Sequence, residues 1–172
     1  MRMNLHKLKE PPVLAFFFNT NGLGYALFEG VAEPVDWGIK EIKKKADYFE
    51  QARLIIHLFD PAVVVLQDCS GKLSRCTDFI KALATKTATL AEKKDIGVFR
   101  YSRADIRSCF AYYSARSKDE IAREIAKLLP EFARLVPRMR GAWRREHYRM
   151  VLFDALSLII IYYASEHLQP PT

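Results

Sequence analysis

Residues 13–30, VLAFFFNTNGLGYALFEG, carry the reading on which the fold of this chain turns. The run 13–18 is continuously apolar and rich in aromatics, as expected of a strand buried on both faces. Asn19-Thr20-Asn21-Gly22 supplies turn residues, and 23–29 then reads as the second arm of a hairpin. After the Gly30 break, a third strand is expected over 34–39.

Beyond the hairpin, the period of the apolar residues changes. Ala46, Phe49, Ala52, Arg53, Ile56 and Phe59 recur at three- and four-residue spacings, so 43–59 is expected to be an amphipathic helix, ended by Asp60-Pro61. Residues 62–66, AVVVL, form the most β-branched run in the chain and read as a central parallel strand. A polar loop (68–75), a helix (76–94) and a short strand (96–101) follow. Ser102-Arg-Ala-Asp105 and Ser117-Lys-Asp-Glu120 both match the capping box, placing helix starts near Arg103 and Lys118. The second of these helices stops before Pro130, a connector rich in proline and arginine spans 130–145, and a last helix is expected over 146–167. The order predicts an α/β fold: a mixed five-stranded sheet, three antiparallel strands then two parallel, flanked by helices. In such sheets functional groups gather at strand ends, which directs attention to residues 17–21, residues 67–71 and Asp154.

A chain of 172 residues that is 50% hydrophobic and 27% charged has the length and balance of one folded domain. We divide it into a polar leader (1–12), a single domain (13–167) and a tail (168–172). The leader lacks the apolar core of a secretory signal, and the apolar stretch 150–164 is short for a bilayer and contains Asp154, so neither export nor a membrane is expected. Three cysteines, Cys69, Cys76 and Cys109, with no C-x-x-C spacing, suggest neither a disulfide framework nor a zinc knuckle, and a reducing cytoplasmic setting.

The formal charge of +7 is unevenly placed. Residues 130–149 hold six arginines against Glu131 and Glu146, and KEIKKK at 40–45 contributes a further net +3. Such patches suit phosphate backbones, and the arginines, interleaved with Pro137, Gly141, Trp143 and Tyr148, suit them better than the lysine run does. The lysines read equally well as a solvated face. Asp154, inside the apolar run MVLFDALSLIII, requires a reason, because an unpaired buried carboxylate costs several kcal/mol. It either pairs with an arginine such as Arg103 or Arg149 (or caps a strand), or serves as a metal-binding or catalytic acid.

Taken together, VLAFFFNTNGLGYALFEG with DWG (36–38), the segment ending DPAVVVLQD (60–68), GVFRYSRADIR (97–107) and FDALSLIIIYY (153–163) resemble the RuvC-type Holliday junction resolvases of the RNase H-like superfamily. The resemblance implies an RNase H-like fold. It also implies DNA as partner, commonly a homodimer, and two Mg²⁺ held by an acid on the first strand, a glutamate ending the fourth strand and acids on the final helix. Carried over by position, the first-strand acid falls on Phe17, the fourth-strand glutamate on Gln67 and the helix acids on Asp154 and Val151. Only Asp154 keeps a carboxylate.

The resulting expectation is a nucleic-acid-binding protein for branched or structured DNA whose two-metal nuclease site is lost or impaired, with no metal or small-molecule cofactor. Its nucleic-acid contacts are assigned to Lys72, Arg75, Arg103, Arg107, Arg138, Arg140, Arg144, Arg145 and Arg149. One alternative is an active Mg²⁺- or Mn²⁺-dependent endonuclease with ligands rearranged among Asp68, Asp154, His147 and Glu146. In that case His147 would share a helical face with Asp154, seven residues on. Another is a dimeric interaction module that binds no DNA. His57, His6 and His167 read as ordinary core or surface histidines, and Gly22-Leu-Gly24 as a turn rather than a dinucleotide site. Cys69 has no local histidine partner to make it a nucleophile.

Overall fold

The computed structural model describes residues 10–138 and 146–167. Its sheet contains β1 (Val13–Asn19), β2 (Gly22–Phe28), β3 (Pro34–Glu41), β4 (Val63–Gln67) and β5 (Gly97–Tyr101), in the order β3-β2-β1-β4-β5. The first three strands are antiparallel, and β4 pairs parallel with both β1 and β5. The expected mixed sheet is therefore present, with β4 inside it and β3 extended two residues past the predicted end. Asn19 closes the hairpin by accepting through Oδ1 from the amides of Asn21 (2.9 Å) and Gly22 (3.0 Å).

Side-chain alternation along β1 divides the interior into two cores. Leu14, Phe16 and Phe18 pack beneath α1 (Lys45–Phe59) and α2 (Asp78–Lys93). Val13 and Ala15, with Phe17 partly buried beside them, face α3 (Arg103–Ala111), α4 (Lys118–Leu128), a 3-10 turn (Pro130–Leu135) and α5 (Met150–His167). Gly24 allows α5 to lie directly on β2, because a Cβ there would collide with the Val151 carbonyl. Among the described residues no helix is long and apolar enough to cross a membrane.

Several boundaries differ from the sequence reading. Helix α1 buries Tyr48, Ala52, Ile55 and Ile56, a stripe rotated from the predicted one, with Ala46 exposed. Tyr48 and Phe49 both satisfy the period, and the sheet selects Tyr48. Helix α2 begins at Asp78 with Thr77 as its cap, not at Cys76. Ser102 and Asp105 form a complete capping box, whereas Glu120 accepts from the amide of Arg116 (2.8 Å) instead of Ser117, so α4 has half a box. Helix α5 begins at Met150 rather than Glu146, which removes His147 from the helix and from the shared face with Asp154.

The expectation of no disulfide is also corrected: Cys69 and Cys76 are bonded, their Cα atoms 5.7 Å apart, and Cys109 is free. The polar loop after β4 doubles back before α2, and this reversal brings together two cysteines whose spacing resembles no familiar motif.

Candidate functional site

Phe17 and Gln67 come from neighbouring strands and Val151 and Asp154 from α5, and the fold gathers them on one side of the sheet. Phe17 pairs with Gly24, the residue under Val151, so α5 crosses the sheet at this point. Gln67 follows Val63 and Val65 by the two-residue period of β4 and shares their face.

Each position carries a group unsuited to holding cations. The Phe17 ring is partly buried in the core, and Val151 is fully packed. The Gln67 side chain, 7% exposed, is committed to the main chain of Phe18: Oε1 accepts from its amide at 2.6 Å and Nε2 donates to its carbonyl at 3.0 Å.

Asp154 is 7% exposed and its partner is a lysine, neither Arg103 nor Arg149. Lys118, the first residue of α4, donates from Nζ to Asp154 Oδ2 at 3.0 Å and to Glu146 Oε1 and Oε2 at 3.0 and 3.2 Å. The same ammonium lies 5.6 Å from the centre of the Phe17 ring, within cation–π range. One monovalent cation, part of the protein itself, thus sits between two carboxylates above the residue in the first-strand acid position. Burial raises the Asp154 carboxyl to about 6; Lys118 and, more weakly, Arg103 oppose the shift, while Glu146 adds to it.

Two hard divalent cations need several bridging and terminal oxygen ligands. This site offers Asp154 and Glu146, both already engaged by Lys118, and among the described residues no group of three or more histidines, cysteines or carboxylates could hold a metal ion. The residues do not fit a two-metal centre.

Asp68 is spent elsewhere. Its Oδ1 accepts from the Ser70 amide (2.9 Å) and hydroxyl (2.6 Å), bonds that, with the charge of Arg100, hold its carboxyl below the ordinary value. His147 lies before α5, stacks on Tyr148 at 4.7 Å and accepts through Nδ1 from the Arg149 amide at 3.2 Å.

The basic residues divide into three groups. Arg103 and Arg107 on α3 are exposed and line, with Lys118 and Asp154, the cleft between α3, α4 and α5. Lys72 and Arg75 are exposed on the loop closed by the Cys69–Cys76 bond, beside Leu73, which is 96% exposed. Arg138 is exposed, and Arg149 lies over the Tyr148 ring with Nε 3.1 Å from its hydroxyl. Arg140, Arg144 and Arg145 lie outside the described residues. The residue that sequence reasoning missed is Lys118: its only local signal was a place after the capping serine, and its partners are 28 and 36 residues away.

No family model and no curated protein matches the chain. Solved structures do. Thermus thermophilus RuvC, in complex with Holliday junction substrate, superposes with a TM-score of 0.64 at 15% identity, covering 95% of this chain and 100% of that one. The Fowlpox virus resolvase, with its substrate Holliday junction DNA, gives 0.56 at 11% identity over 89% and 99%. The yeast mitochondrial Holliday junction resolvase gives 0.56 at 12%, over 91% and 80%. At these identities the likeness is one of fold: the chain has the RuvC-type, RNase H-like architecture.

Proposed function

We propose that this protein binds branched or structured DNA on a RuvC-type scaffold without two-metal cleavage. The observation that carries the reading is the ammonium of Lys118, held by Asp154 and Glu146 over Phe17. It supplies internally the positive charge that bound cations would supply in a nuclease, and it leaves no ligand set for them. The exposed guanidinium groups of Arg103 and Arg107 at the mouth of the same cleft supply phosphate-binding capacity that does not depend on a metal. A two-fold dimer would match the symmetry of a four-way junction, and we include a homodimer in the proposal.

Labelled four-way junction and matching linear duplex, incubated with the protein at low salt with and without Mg²⁺ or Mn²⁺, test the reading in one gel. The expected result is a junction-selective shift, steeply weakened by salt, with the DNA intact. Metal-dependent nicks abolished by Asp154→Asn would overturn the loss of catalysis. A protein that dimerises tightly and shifts neither DNA would instead be an interaction module.

A further inference from the structure

The lysine run 40–45 reads as a solvated face in the sequence, but the fold wraps its end around an open cleft on the other side of the sheet from Asp154. The cleft, about 340 Å³, lies where the β1–β2 turn, the start of α1 and the start of α2 converge. That volume falls within the range of roughly 300–1,000 Å³ typical of ligand sites. Lys43 and Lys45 form its cationic rim, Thr20 and Thr77 supply hydroxyls, and Ile42 and Phe79 give it apolar walls.

The two lysines have no carboxylate partner among the described residues, and both are exposed. Lys45 is oriented by its Nζ lying 5.2 Å over the Phe79 ring, which packs edge-on against Tyr48 at 5.3 Å. Tyr48 is itself fixed, donating its hydroxyl to the Asn19 carbonyl at 2.8 Å. Thr77 Oγ1 accepts from the Ile80 amide at 3.2 Å, which leaves its hydroxyl proton to donate. Asp47 and Asp78 lie nearby in sequence, in the first turns of α1 and α2, but neither lines the cleft. A rim of ammonium and hydroxyl donors above an apolar floor matches a phosphate joined to a sugar.

We propose that this cleft binds a sugar-phosphate unit of the DNA backbone, as a contact separate from Arg103 and Arg107. The inference rests on the nucleic-acid reading above. Thr20 directly follows the end of β1, while Phe17, on the same strand, faces Lys118. The two basic regions therefore flank one strand end on opposite faces, an arrangement that lets a branched DNA engage both.

The test compares the full chain with the Lys43→Ala/Lys45→Ala variant, binding four-way junction across a salt series. Both lysines are exposed, so the thermal midpoint should not move. The expected result is weaker junction binding and a log–log salt slope shallower by about 1 to 2, since each phosphate contact contributes about 0.9. Lys43→Arg/Lys45→Arg should restore the slope. If the parent binds junction and the alanine variant binds with the same affinity and slope, the cleft assignment falls while the DNA reading stands. If the parent binds no DNA, both fall. Saturable binding of a deoxynucleoside monophosphate, lost in the alanine variant while the DNA slope is unchanged, would assign the cleft to a free phosphate compound and overturn the backbone contact.

Discussion

The side-chain amide of Gln67 grips the main chain of Phe18 from both sides, accepting its N–H and donating to its C=O. The β1–β4 backbone register runs from Val13↔Val63 to Ala15↔Val65, and this side chain continues the strand pairing beyond it. Gln67→Glu would restore an acid at the family position, yet it replaces the Nε2 donor by a carboxylate oxygen facing the Phe18 carbonyl. We expect a loss of about 1–3 kcal/mol in urea unfolding at neutral pH and no metal-dependent nicking. Cleavage by this single variant would show that Phe17 and Val151 do not block the site.

Lys118 is the counter-charge of a buried carboxylate. Lys118→Met removes it and leaves Asp154 ionisable among apolar neighbours, at a cost of about 3 kcal/mol, the lower end for broken buried pairs because the lysine side chain is 23% exposed. Pairing the change with Asp154→Leu should recover most of the loss in a double-mutant cycle. Additive losses would mean that the two residues are not coupled.

The pH dependence has a definite sign. The folded state holds the Asp154 carboxyl at about 6 against an ordinary value of 3.8, so it binds this proton more tightly than the unfolded chain. The corresponding stability is complete below about pH 4 and is lost as pH rises through about 6. Unfolding free energies of the parent and Asp154→Asn, compared at pH 4 and pH 7, should diverge by on the order of 2–3 kcal/mol, with the parent relatively weaker at pH 7. Parallel profiles would contradict a raised Asp154.

Gly24→Ala probes the seat of α5. Its Cβ would meet the backbone of Val151, which cannot swing aside as a side chain could, so the helix must lift from the sheet. A loss of about 2 kcal/mol or more is expected, of the size seen for overpacked cores. Calorimetry of this variant beside Gly71→Ala, whose Cβ meets nothing within 4 Å, provides the contrast.

The Cys69–Cys76 bond closes a short loop carrying Lys72, Leu73 and Arg75. Cys69→Ser/Cys76→Ser should cost roughly 2 kcal/mol, mainly by freeing the unfolded chain. It should also admit protease at residues 70–75 in the native protein. An unchanged digestion pattern would mean that the loop is held by its own packing.

Much of the architecture was legible because it rests on short-range physics. An apolar run followed by Asn-Thr-Asn-Gly makes a hairpin, a β-branched run after a helix makes an interior parallel strand, and Ser102 with Asp105 starts α3 as a capping pair. The candidate site was legible only as a set of departures: Phe17, Gln67 and Val151 stand where carboxylates were expected, and Asp154 stands where an apolar residue was. Sequence could not rank Tyr48 over Phe49 in α1, nor stop the last helix from reaching back to Glu146, since local periodicity permits either.

What the sequence alone determined was the order and type of the elements and the loss of acids from the strand positions, because both follow from residue identity and neighbours along the chain. What only the tertiary structure decided was which groups fill the space that those acids left. The Lys118 ammonium reaches Asp154 across 36 residues, Gln67 reaches Phe18 across 49, and Cys69 meets Cys76 through a reversal of the loop. Each is a directional contact of a few ångströms, fixed by how α4, α5 and the strand ends pack, and no periodicity in the chain encodes it.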